Sequence, residues 1–122
     1  MTVSEVIERV NDLKPNEYGS EEKIKWLRQL DEQIKQEIID RHVLRDGESA
    51  DLPSSYSALS ELLVPAPYSE MYIHHLAAQI DYFNREYDGF NSTRAMFDAC
   101  YSAFRNHFHA THRPLSTEKI FY

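Results

Sequence analysis

Apolar residues recur along most of this chain at spacings of three and four, the period of an α-helix. Val3, Val6, Ile7, Val10 and Leu13 trace one narrow stripe and predict a first helix over about residues 3–14. Thr2 and Glu5 stand at capping-box spacing in front of it. Pro15, Asn16 and Gly19 then break the period. Ser20 suits an N-cap, and Glu21 and Glu22 favour the positive end of a helix dipole. From there Ile24, Leu27, Leu30, Ile34 and Ile38, widened by Trp26, Ile39 and Val43, predict a second helix to about Leu44. Such a helix is roughly 37 Å long.

Residues 45–55 are polar and read as a flexible loop. Leu59, Leu62 and Leu63 predict a short helix over about 57–63, stopped by Pro65 and Pro67. A third long helix is expected over about 69–87, capped by Ser69, with Ile73, Leu76, Ile80, Phe83 and Tyr87 as its stripe. The run Asp88-Gly89-Phe90-Asn91-Ser92 reads as a turn. A fourth helix follows over about 92–112 on Met96, Phe97, Cys100, Phe104 and Phe108, until Pro114 ends it. The expected fold is mainly α: a bundle of four main helices plus a short one over residues 1–114, with an extended tail over 115–122.

Composition sharpens this picture. With 122 residues, 42 % hydrophobic and only 3 Gly, the chain suits one modest helical domain. Its net charge is −7, unevenly spread. Residues 1–51 hold 13 acids against 8 bases, 52–90 five against one, and 91–122 two against four. An acidic chain of this kind lacks the clustered Lys and Arg that grip nucleic acid. The single cysteine, Cys100, excludes an intramolecular disulfide and a cysteine-based zinc site, and its place on the stripe predicts a buried, inert thiol. The amphipathic N-terminus does not read as a signal peptide, and no run has the length of a membrane span, so the chain is expected to be soluble and made in a cytoplasm.

Candidate chemistry is sparse. His107, His109 and His112 spell H-x-H-x-x-H, and His109 and His112 lie one helical turn apart, close enough to share a metal ion. Histidines near a helix C-terminus also simply favour its negative end, and no E-x-x-H or H-E-x-x-H pattern supports a metal. His74 and His75 point about 100° apart on a helix and cannot share a ligand. No nucleophile elbow, phosphate loop or dinucleotide fingerprint occurs, so neither catalytic residues nor a cofactor is assigned. The aromatics say more. Tyr68, Tyr72, Tyr82, Tyr87, Phe90 and Tyr101 are too many for the inside of a narrow bundle, and Tyr is enriched at interfaces. Pro65 and Pro67 forbid helix and fix a rigid corner, at which Tyr68 and Tyr72 are expected to face a partner. The tail residues Ile120, Phe121 and Tyr122 are expected to add to a partner as a strand or hook.

In its order and spacing, Lys14-Pro15-Asn16, then Trp26-Leu27 with Asp31, then Leu62 to Tyr72 and Asn91 to Phe104 resemble the small head–tail connector, or adaptor, proteins of long-tailed phages and prophages of Gram-positive bacteria. The resemblance covers about residues 10–114. It implies a helical, non-enzymatic virion protein, made in the host bacterial cytoplasm, that binds under the portal protein after packaging. There it forms a ring of about a dozen copies, lets DNA pass through the lumen, and offers a seat to the next connector, stopper or tail protein. The charge split agrees: the acidic first three helices of one subunit can meet the basic fourth helix of the next, a contact that closes into rings. The isolated subunit is expected to be a monomer or weak oligomer, because acidic copies repel. Two other readings stay open, a small helical protein-binding regulator and a His-metal enzyme.

Overall fold

A computed structural model describes residues 1–115. It is mainly helical: α1 is Val3–Leu13, α2 Ser20–Glu37, α3 Met71–Phe83 and α4 Tyr87–Thr111. Two-residue strands β1 (His42–Val43) and β2 (Arg113–Pro114) pair antiparallel, His42 facing Pro114. Among the described residues no helix is long and apolar enough to cross a membrane. The expected tail lies outside them, apart from its first residue, Leu115.

The start of α1 is as its sequence predicts. Thr2 Oγ1 accepts the Glu5 N–H at 3.3 Å and Glu5 Oε1 accepts the Thr2 N–H at 3.1 Å, a closed capping box. Gly19, not Ser20, caps α2. That helix also ends seven residues before the expected Leu44, at about 27 Å. Ile38 and Ile39 are both buried. The chain tightens into a 3-10 turn, Ile39–Arg41, before β1 pairs with β2.

The predicted short helix over 57–63 is absent. Residues 44–67 form an irregular strap, which a backbone bridge between Thr2 and Glu61 ties to the front of α1. Leu62 and Val64 are buried beneath it. After a 3-10 turn, Tyr68–Glu70, α3 threads the centre of the molecule, and its buried residues (Met71, Tyr72, Ile73, Leu76, Ala78, Ile80, Asp81) wrap most of the way round it. Phe83 and Tyr87, expected on its stripe, are instead half exposed.

The turn between α3 and α4 comes earlier than expected, at Asn84–Glu86, with Arg85 at φ 60. Gly89 is helical. A Cβ there would meet Asp81 Oδ2 at 3.1 Å, so glycine is what lets α4 lie close over α3. Asp81 is fully buried, with the Lys14 ammonium 2.7 Å from Oδ1 and the Thr93 hydroxyl donating to Oδ2 at 3.2 Å. From this end α4 runs about 37 Å and packs down Phe97, Phe104 and Phe108. Met96 faces out and Cys100 is only half-buried.

Between α1 and α2, Lys23 is buried, its ammonium donating to Asn11 Oδ1 and to the Tyr18 carbonyl, both at 2.8 Å. Beside it Trp26 stacks on Phe83 with centroids 5.6 Å apart, and Tyr18 meets Trp26 edge-on.

Candidate functional site at the proline corner

The corner is built on one buried carboxylate. Asp31, on α2, is fully buried. Its Oδ1 accepts the Tyr72 hydroxyl at 2.6 Å, and its Oδ2 accepts the Tyr56 hydroxyl at 2.6 Å and the Leu63 N–H at 3.2 Å. The Tyr72 oxygen in turn accepts the Val64 N–H at 2.8 Å. A buried polar group is tolerable when its partners are this complete. Three of these bonds fasten the strap to α2 and α3, and the fourth, Tyr72 to Asp31, ties the two helices together beneath it.

Electrostatics follow from burial. Desolvation raises the Asp31 carboxyl, opposed by the bonds from Tyr56, Tyr72 and Leu63 and by the nearby Arg28 guanidinium. Burial, and then the Asp31 charge, push the Tyr72 phenol well up, and Tyr56 moves the same way. Arg28 lies 5.1 Å over the Tyr56 ring and donates to the Pro53 carbonyl at 2.7 Å. Neither phenol is an acid near neutrality; both donate to Asp31, and the Tyr72 oxygen holds the strap by accepting the Val64 N–H.

This arrangement corrects one expectation. Tyr72 is fully buried and cannot face a partner. The bond it makes reaches 41 residues back along the chain, which no local pattern foretells. Tyr68 is half-buried, 5.8 Å from the Phe104 ring and 5.1 Å from His107. Pro65, Ala66 and Pro67 are exposed, and Ala66–Pro67 is a cis peptide. Ile120, Phe121 and Tyr122 lie outside the described residues.

Beside the corner is a cleft of about 230 Å³. Leu63, Pro65, Phe104 and Phe108 give it apolar walls, and His107, His112 and Glu48 edge it. The three C-terminal histidines do not converge. His107 turns to Tyr68, and His109 Nδ1 lies 3.4 Å from His42 Nε2. His112 stacks on Phe108 at 3.7 Å and sets Nε2 2.8 Å from Glu48 Oε1. Its Nδ1 faces the Phe108 carbonyl and the Thr111 hydroxyl, so both ring nitrogens are engaged within the protein. The Glu48 carboxyl is held low, first by the Arg45 N–H and then by His112. The pair ties the strap to the end of α4. Among the described residues no three ligating side chains gather for a metal ion. His75, packed 5.4 Å from the Phe97 ring, is pushed down to about 4 by burial and then by Arg94, and stays neutral.

The aromatic surplus is partly surface, as expected: Tyr82 is half exposed at the α3–α4 end. Tyr101 is half-buried and its hydroxyl donates to Glu37. What the sequence reading missed is aliphatic. Leu59 and Leu13, both placed on stripes, are the most exposed large apolar side chains among the described residues, at 83 % and 70 %. The chain matches no protein-family model, no curated protein and no solved structure.

Proposed function

We propose that this chain is a structural head–tail connector subunit of a long-tailed phage or prophage, acting by protein docking. The observation that carries this reading is the segment Leu62–Tyr72. It is among the most specific parts of the resemblance, and it forms a corner whose exposed prolines are braced from beneath by Asp31 and Tyr72. A pre-organised surface loses little freedom on binding, which favours affinity. The apolar cleft beside Pro65 gives a partner's side chain a place to enter.

On this reading the corner seats on the portal protein, copies form a ring of about a dozen around the DNA channel, and the far face receives the next connector or tail protein. The net charge of −7 suits a channel through which DNA slides without being held. No residue is assigned a catalytic role and no cofactor is required.

The test uses purified portal assemblies. The chain should co-sediment with them and add ring density under electron microscopy. Pro65→Glu with His107→Glu places two charges at the cleft on exposed positions. That variant should lose at least about tenfold in portal affinity, with its helical circular dichroism unchanged. Parental binding by the variant would remove the corner from the docking surface.

A further inference from the structure

His42 and His109 meet where two helices end. His109 stands in the last turn of α4, and His42 opens β1 just beyond the end of α2. The His42 Nδ1 lies 2.7 Å from the carbonyl of Ile38, the residue that caps α2. A carbonyl only accepts, so in the neutral ring Nδ1 carries the proton and Nε2 keeps a free lone pair. That Nε2 faces His109 Nδ1 at 3.4 Å. The spacing is longer than the roughly 2.7–3.2 Å of an ordinary N–H hydrogen bond. It is instead the spacing of two ligands: imidazole nitrogens on one tetrahedral Zn²⁺, each at about 2.0–2.1 Å, stand about 3.3–3.4 Å apart. An octahedral Mg²⁺ at similar distances would need neighbours about 2.9 Å apart, and prefers oxygen.

We propose that His42 Nε2 and His109 Nδ1 form a two-histidine binding site for Zn²⁺. The ring centroids are 5.6 Å apart, so the two nitrogens point almost directly at each other. A turn of each ring by about 20° brings both lone pairs onto one ion. His109 is exposed, which leaves room for that turn and lets water fill the two remaining positions of the ion. The hydrogen bond from His42 Nδ1 to a backbone carbonyl is the support that metal-binding imidazoles commonly have, fixing the tautomer and the direction of the ring. The negative ends of the α2 and α4 dipoles both favour a cation here. His107 and His112 take no part, since the first turns to Tyr68 and the second is engaged at both nitrogens. The H-x-H-x-x-H run thus gives one ligand, and the other comes from 67 residues back along the chain. Only the folded chain holds the two together, so the ion stabilises the fold and clips β1 to the end of α4.

The test uses the full chain without a histidine tag. Calorimetry should find one Zn²⁺ bound per chain, and Zn²⁺ should raise the melting temperature where Mg²⁺ does not. In nitrogen-resolved NMR of the imidazoles, His42 Nε2 and His109 Nδ1 should shift together as Zn²⁺ is added. His109→Ala, at an exposed position, should weaken Zn²⁺ binding at least about tenfold with helical circular dichroism unchanged. His107→Ala should bind Zn²⁺ like the parent. An affinity weaker than about 1 mM would overturn the site. So would Zn²⁺ shifts at His107 or His112 in place of His42, which would assign the ion to the C-terminal run, and so would parental binding by His109→Ala.

Discussion

Asp31 carries more of this fold than its single charge suggests. Replacing it by Asn puts an amide where Oδ2 now accepts two bonds, and the Leu63 N–H then faces another donor. An unsatisfied buried donor costs about 1–3 kcal/mol. The effect depends on pH in a direction that burial fixes. The folded chain keeps the Asp31 proton to higher pH than the unfolded chain does. The stability tied to this proton is complete below the unfolded value of about 3.9 and is lost as pH rises through the raised folded value. Asp31→Asn has no such proton. Its deficit in urea unfolding should therefore widen as pH falls from about 7 towards about 4. A deficit that stays constant or shrinks over that range would show that desolvation is not the dominant influence on Asp31.

At the scale of elements, the α3–α4 turn holds Arg85 at φ 60, a left-handed conformation that costs an L-residue roughly 1–2 kcal/mol. Glycine avoids that cost but adds freedom to the unfolded chain. Arg85→Gly should therefore stabilise by about 0.5–1 kcal/mol, seen as a raised melting temperature. This turn also shows what was legible in the sequence. The four main helices and most of their starts were, because caps and apolar period act locally. Thr2 with Glu5 is the clearest case. Ends were not. Gly89 looks like a turn residue, yet its lack of a Cβ serves the approach to Asp81, a contact between helices. The apolar stripe of α2 continues past Glu37, yet the chain leaves the helix there, passes through a 3-10 turn and pairs β1 with β2. The proline corner was legible as a corner. Its brace was not, because Asp31 and Tyr72 are far apart in sequence and Tyr72 reads locally as one more surface aromatic.

Across the whole molecule, order does not follow secondary structure. The strap over 44–67 has no helix, but its last part is held as firmly as one. The Leu62 N–H bonds the Met1 carbonyl at 3.0 Å, Leu63 bonds Asp31, and Val64 bonds Tyr72. Hydrogen exchange should find these three amides protected to nearly the level of the α3 core, since opening them means releasing α1, α2 and α3 together. Exchange as fast as that of a free loop would mean that the corner is not rigid, and the docking proposal would lose its physical basis. Pro65→Glu with His107→Glu should leave this protection unchanged, because both residues lie outside the brace.

The buried ammonium of Lys23 has a consequence for chemical reactivity. Its two acceptors are neutral, and burial lowers its proton affinity, so a larger share of this amine is uncharged at a given pH. An uncharged amine is the nucleophile, yet this one is shielded while α1 and α2 stay together. Lys25, two residues on and exposed, has no such shield. A pulse of acylating reagent should therefore label Lys25 at once and Lys23 only at the rate at which α1 parts from α2. The delay between the two, read by mass spectrometry on one peptide, makes Lys23 a native clock for that opening. Equal labelling of both lysines in the first pulse would mean that the seam between α1 and α2 is already open.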